Sequence, residues 1–258
     1  MKRFLTTLAL LAINITGIAL CYCQSEDYSF YIKVGSGISC SQSANVTAQY
    51  PPWNPAVQGY DSKLGYAPIA SLSIGCELLD IIDLECNISN RSLFKYRKFQ
   101  TPTLGGGSYT RKLDLDVTSI LFSAYFLGKS IRSCNWDIGC GTFYPMIGAG
   151  VGASNLLITN YRTTGLPPTG DSAPYASFSS ENQYTLRKNF TYTLLAGFEY
   201  NYNDYWSIGT GYRWFNAGHF KGPQYQRVTS GAAVDVADDA WKMRFRAHEW
   251  FIEFKIPL

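Results

Sequence analysis

Two histidines, five cysteines beyond residue 23 and ionisable residues on alternating positions are what this chain offers for chemistry. His248 shares a parity with Trp250 and Phe254, and His219 lies in a polar stretch upstream of it. A histidine acting as a base needs a nucleophile or a carboxylate within hydrogen-bond reach. No serine follows His248, so its expected part is that of an interfacial aromatic. The competing reading, a catalytic base, requires a partner from another strand. Cys134 and Cys140 flank a turn and are placed to form a disulfide, and Cys76 and Cys86 are symmetric about another turn. Spacing alone leaves the bonding of these cysteines open, and Cys40 is left over. No Cys/His cluster shows metal-ligand spacing, so neither a metal nor a cofactor is expected.

The ionisable residues acquire a meaning on strands. Along residues 247–258 the row His248, Trp250, Ile252, Phe254, Ile256 and Leu258 alternates with Glu249, Phe251, Glu253, Lys255 and Pro257. Period-2 alternation is what a strand shows when its faces meet two media. Lipid outside and a polar lumen inside satisfy it. In the same register the lumen collects Lys33, Glu77, Glu85, Arg91, Asp114, Asp116, Glu199, Arg213, Glu249, Glu253 and Lys255. Both signs are present, and eight strands leave an interior just wide enough for side chains. A salt-bridged structural plug is therefore expected; the alternative, a narrow pore, needs a column of water.

The termini and composition agree with export. Lys2 and Arg3 precede an apolar run, and Gln24-Ser25-Glu26-Asp27 is abruptly polar. That is the pattern of a secretory signal peptide. Cleavage is expected near Cys23, with Ala19 as the other site and a lipidated Cys21 disfavoured by the bulk of Leu20. The domains are thus a signal at 1–23 and one barrel domain at 24–258. Losing Lys2 and Arg3 leaves 20 basic against 19 acidic residues, a balance that implies no nucleic-acid partner. Aromatic residues make up 16% of the chain, with 19 Tyr, 6 Trp and only 3 Met. This suits an all-β protein. Past the signal no apolar run approaches the ~20 residues of a membrane helix.

Alternation predicts eight strands, near residues 28–38, 65–77, 82–91, 112–127, 143–155, 190–201, 206–214 and 247–258. Residues 120–127 are oily on both parities, so their faces stay unassigned and a bulge is expected there. The connections alternate long and short, with long loops up to residue 63 and over 95–111, 156–187 and 216–246. An eight-stranded antiparallel up-and-down transmembrane β-barrel with four long extracellular loops has this rhythm. Tyr28, Phe190, Tyr200, Tyr202, Trp206, Trp214 and Trp250 would form its interfacial girdles. Loop aromatics Tyr50, Trp53, Tyr60, Tyr161, Tyr175, Tyr225 and Trp241 are where a host or matrix ligand would be met.

With these segments in place the chain resembles the small eight-stranded outer-membrane barrels of Gram-negative bacteria, especially the opacity-type surface antigens. The likeness runs over the mature chain. It is carried by Tyr192-Thr193-Leu194-Leu195-Ala196-Gly197-Phe198-Glu199-Tyr200, by Gly209-Thr210-Gly211-Tyr212-Arg213-Trp214 and by Trp250-Phe251-Ile252-Glu253-Phe254-Lys255-Ile256. Family members usually end on an aromatic residue, whereas this chain ends on Leu258. The resemblance implies residence in the outer membrane and a non-enzymatic role: adhesion, surface antigen or envelope integrity. It implies outer-membrane lipid and lipopolysaccharide as surroundings, and the barrel-assembly machinery as partner during insertion. Lipid A-modifying barrels, which carry a His with a Ser or Asp near the outer rim, are the enzymatic alternative. A soluble secreted β-sandwich is the third class.

Overall fold

The computed structural model describes residues 28–42, 46–47, 63–78, 81–100, 108–131, 134–166, 178–179, 185–202, 205–221, 225–227, 235–237 and 242–258. The proposed signal at 1–23 falls outside them, as do Tyr50, Trp53, Tyr60, Tyr175 and Trp241. Eight long strands dominate: β1 (Tyr28–Ser41), β2 (Tyr66–Leu78), β3 (Ile82–Gln100), β4 (Ser108–Leu127), β5 (Gly141–Leu166), β6 (Thr185–Tyr202), β7 (Trp206–Lys221) and β8 (Lys242–Pro257). Each pairs antiparallel with its neighbours in sequence. β8 then returns to β1, setting Ile256 opposite Ile32 and Trp250 opposite Ile38. Closure removes the unpaired backbone edges that lipid could not satisfy. The structure is the expected all-β, antiparallel up-and-down barrel, and a two-sheet sandwich is ruled out. At the β1–β8 seam the backbones approach so closely that a Cβ on Gly37 would press on the Trp250 carbonyl.

Both ends of the ladder and three turns (78–82, 127–141 and 202–206) lie at one end of the barrel, called here the turn end. The middle turn contains a 3-10 helix at Gly128–Ser130 and a short strand, Trp136–Ile138, that folds back on the start of β5. The opposite, loop end carries the connections 42–65, 100–108, 166–185 and 221–242. The strands run further toward the loop end than alternation predicts. Residues 95–100 and 108–111, assigned to a loop from sequence, are ladder in β3 and β4, and 156–166, 185–187, 216–221 and 242–246 are likewise strand. His219 accordingly sits on β7, opposite Arg244, and not in a loop. Backbone hydrogen bonds do not depend on which medium the side chains face, so the ladder continues where the lipid pattern stops.

The bulge expected within 120–127 is absent from that stretch. Leu121 and Tyr125 are buried while Phe122 and Phe126 are exposed, in unbroken alternation. Register shifts occur instead at Arg91/Phe94, Lys112/Asp114 and Asn216/Gly218. Leu93 and Gly218 take positive φ values of 64° and 74° there. Glycine adopts that conformation without the clash a Cβ would bring. The β7 bulge is tied down by Asn189, whose Nδ2 donates to the carbonyls of Ala217 (2.8 Å) and His219 (2.6 Å). Asn216 Oδ1 accepts from the Gly218 N–H at 3.0 Å.

The two faces of β8 show how the barrel is layered. Toward the interior, from turn end to loop end, come Lys255, Glu253, Phe251, Glu249, Ala247, Phe245 and Met243, all buried. Outward come Ile256, Phe254, Ile252, Trp250, His248, Arg246 and Arg244. Trp250 is 63% exposed and Ile252 55%, against 0% for Glu249 and 3% for Glu253. Near the turn end the wall is apolar outside and charged inside; near the loop end this is inverted. The inward cluster at the loop end includes Phe94, Leu113, Leu115, Val117, Phe215 and Phe245. The outward crossover follows one continuous rung, Asn90–Thr118–Asn155–Lys188. Two residues toward the turn end the matching rung is Ile88–Ile120–Ala153–Phe190, wholly apolar. A polar exterior over an apolar interior is the ordinary arrangement of a protein in water, so the barrel rises beyond its lipid band.

Candidate functional site: the charged interior and the loop-end rim

Charged side chains reach the interior because they occupy inward positions of strands whose other face is lipid-facing. Three tiers result. Near the turn end Lys255 Nζ contacts Glu77 (2.9 Å), Asp83 (3.0 Å) and Glu199 (3.6 Å). Lys129, from the middle turn, adds a second contact to Glu77 at 2.8 Å. Glu199 also accepts from Tyr144 (2.9 Å) and Ser207 (2.7 Å). In the middle tier Lys33 lies 2.8 Å from Glu85 and 3.7 Å from Glu253, and Arg213 donates to Glu253 at 3.1 Å. The Tyr125 hydroxyl donates to Glu85, while the rings of Tyr31 and Tyr125 face Lys33.

The third tier is a two-point clasp. Arg91 donates through Nε to Glu249 Oε1 and through Nη2 to Oε2 at 2.9 Å. Its Nη1 donates to Ser89 and Ser119, and Ser39 donates to Glu249. Phe215 stacks over the guanidinium, 3.7 Å from its carbon to the ring centre. Both partners are fully buried. Paired donors on one carboxylate give the strongest form of this contact, and a buried ion is tolerated when its remaining donors and acceptors are also satisfied. Immediately toward the loop end the apolar cluster begins, with Phe94 edge-on to Phe245 at 5.1 Å.

All eight charged residues singled out from sequence for this network (Lys33, Glu85, Arg91, Glu199, Arg213, Glu249, Glu253 and Lys255) are buried and take part in these contacts. Asp114 and Asp116 are corrections. Asp114 accepts from Asn160 at 2.6 Å, and Asp116 accepts from the Leu93 N–H at 2.6 Å. Asp116 belongs to the loop-end exterior, and Asp114, although buried, lies on the same outward row opposite Lys95; Leu113, Leu115 and Val117, read as lipid-facing, fill the interior instead. The alternation of 113–118 is real, but above the lipid band its apolar face turns inward. Sequence reasoning left Asp83, Lys129 and the inward tyrosines Tyr31, Tyr125 and Tyr144 out of the network. For Asp83 and Tyr31 the signal was available, since they share the parity of Glu85 and Lys33 on their own strands.

Cys134 and Cys140 are free thiols in the structure, as are Cys40, Cys76 and Cys86. Cys76 stands opposite Leu84, and Cys86 opposite Ile74. The two thiols are therefore diagonal neighbours, not a facing pair. His248 is on the outward face, where Tyr212 Oη and the Gln42 side chain bond its two ring nitrogens. Among the described residues no group of three or more His, Cys, Asp or Glu could hold a metal. Aromatic residues gather at both edges of the lipid band. Tyr202 stacks on Trp206 at 5.0 Å near the turn end, and Tyr192 meets Trp214 at 5.4 Å and Tyr212 meets Trp250 at 5.5 Å near the loop end.

No protein-family model matches the chain, and no curated protein matches it. Among solved structures it is similar to Neisserial surface protein A, at 13% identity over 90% of this chain and 99% of that one, with a TM-score of 0.43. The outer membrane protein OprG from Pseudomonas aeruginosa gives 12% identity over 91% and 98%, with a TM-score of 0.48. The attachment invasion locus protein of Yersinia pestis, in complex with the heparin analogue sucrose octasulfate, gives 11% over 90% and 99%, with a TM-score of 0.39. The fold itself stands on the closed ladder. An apolar wall, a closed sheet and a charged interior make this chain a membrane-spanning barrel of the small, outer-membrane type.

Proposed function

We propose that the chain is a non-enzymatic outer-membrane barrel whose task is to hold its loop end at the cell surface, for adhesion, as a surface antigen or for envelope integrity. The observation that carries this reading is the closed interior. Three tiers of ion pairs fill the lipid-embedded part, and a cluster of buried apolar side chains lies above them. Ions gain nothing from entering a passage lined by Phe94, Leu115, Phe215 and Phe245. What remains for function is the exterior of the loop end and the loops attached to it. Outer-membrane lipid and lipopolysaccharide surround the wall, the barrel-assembly machinery inserts it, and a host or matrix ligand would meet the loops. The charge network is structural in this reading, and neither cofactor nor nucleic acid is involved.

Reconstitution of the purified chain in planar bilayers tests this directly. Heat-modifiable gel mobility should certify a folded barrel, and that folded protein should give no unitary conductance steps. Reproducible steps from heat-modifiable protein would replace this reading with the narrow pore.

The lipid A-modifying alternative would use His248 as its base. Both ring nitrogens of His248 are already engaged, by Tyr212 and Gln42, and neither partner is a serine or a carboxylate. The lipid A mass spectrum of a deletion strain should match that of the parent, and a shifted species restored by the wild-type chain but not by His248→Ala would establish the enzyme.

A further inference from the structure

Toward the loop end, the outward row of β8 carries two arginines, Arg244 and Arg246, whose side chains pair with nothing among the described residues. Arg244 and Arg246 alternate with buried Met243, Phe245 and Ala247, so their side chains lie against the outer wall. Among the described residues no carboxylate pairs with either, and the Nε of each is shielded from solvent without a hydrogen-bond acceptor. Beneath them His248 is held between Tyr212 and Gln42, and Trp250 meets Tyr212 edge-on. Two arginines thus stand above an aromatic floor, their Cα atoms roughly 7 Å apart along the strand.

Their height is what gives them a use. A strand residue advances about 3.3 Å, which at a tilt of about 40° is roughly 2.5 Å along the membrane normal. From Ile256, near the turn end of the lipid-facing row, Arg246 is therefore about 25 Å up, the height of an outer-membrane barrel's apolar band. Both arginines lie at the headgroup level of the leaflet on the loop side, where lipid phosphates are concentrated. A guanidinium presents a planar fork of donors that matches a phosphate in a two-point contact.

We propose that Arg244 and Arg246 form a seat for the phosphates of the outer leaflet's phosphorylated glycolipid, with the Trp250–Tyr212–His248 surface under its sugar and upper acyl region. This rests on the outer-membrane reading and deepens it from general surroundings to a defined lipid contact. It also accounts for a basic pair at the outer boundary of the lipid band that no carboxylate among the described residues neutralises.

The test uses the full chain refolded in detergent micelles and titrated by native mass spectrometry with bis-phosphorylated lipid A, dephosphorylated lipid A and phosphatidylglycerol. Wild-type protein should bind the bis-phosphorylated form most tightly. Arg244→Gln/Arg246→Gln should weaken that binding on the order of tenfold or more, as expected for two interfacial cations, while Lys95→Gln on the far wall leaves it unchanged. Equal wild-type affinity for lipid A with and without phosphates would overturn the proposal whatever the variants do. Phosphatidylglycerol binding as tightly as lipid A, or Lys95→Gln losing as much as the double variant, would overturn it too. Heat-modifiable mobility is read on every sample, so a failure of the barrel reading is seen separately from a failure of the lipid seat.

Discussion

Arg91 and Glu249 come from strands on different sides of the barrel, 158 residues apart in sequence, and meet where charge is least solvated. Arg91→Met removes the principal partner of a fully buried carboxylate, leaving Arg213 at 3.8 Å as its remaining cation. Breaking such a pair typically costs about 3–5 kcal/mol. Urea unfolding in micelles should show that loss for Arg91→Met, while Arg91→Met combined with Glu249→Leu should recover most of it. A double variant as unstable as the sum of the singles would mean that the serine and Phe215 contacts, not the ion pair, carry this tier. The alternation of charges along each strand is legible in the sequence, because parity assigns a face. The pairing of Arg91 with Glu249, and not with Glu253 or Glu85, is not legible there, because register across the barrel is set by turns and bulges.

At the scale of the strand, the inversion along β4 and β8 is the feature most open to test. Leu115 lies in the dry cluster, and its neighbour Asp116 points outward to the Leu93 amide. Leu115→Asp buries an unpaired carboxylate and should release the loop-end amides of β3, β4 and β8 to hydrogen exchange, with the turn-end half still protected. Asp116→Asn, which keeps an acceptor for the Leu93 N–H, should change little. Equal effects of the two changes would refute the assignment of faces. The seam offers a second test, because Gly37 leaves no room for a side chain beside the Trp250 carbonyl. Gly37→Val should block β1–β8 closure and abolish the heat-modifiable form on an unheated gel, whereas Ser36→Val, on the lipid face, should keep it.

As a whole the molecule is a closed cylinder standing partly in lipid and partly in water. Its interior changes from ionic to apolar along the axis, and its exterior changes the opposite way. That organisation explains why the long loops expected from alternation shrink. Much of residues 95–111, 156–187 and 216–246 is ladder that stands clear of the lipid, so the loop end is a raised rim as well as its loops. A chain lacking residues 101–107, the connection between β3 and β4, should therefore still fold and insert, because the hairpin is held by the cluster below it. Loss of heat-modifiable mobility in that deletion would show the rim to depend on its loops.

The sequence by itself determined the eight strands, their order and the lipid-facing row of all but the fourth, since period-2 alternation depends only on neighbours along the chain. It also placed a mixed-sign set of charges inside. Only the tertiary structure decided where the lipid band ends, because apolar–polar alternation reads the same whether its apolar face looks out to lipid, as at Ile252, or in to a water-excluded core, as at Leu115. Which side is which depends on height in the barrel. Height is a property of the closed ladder, its register and its bulges, and no single strand carries it.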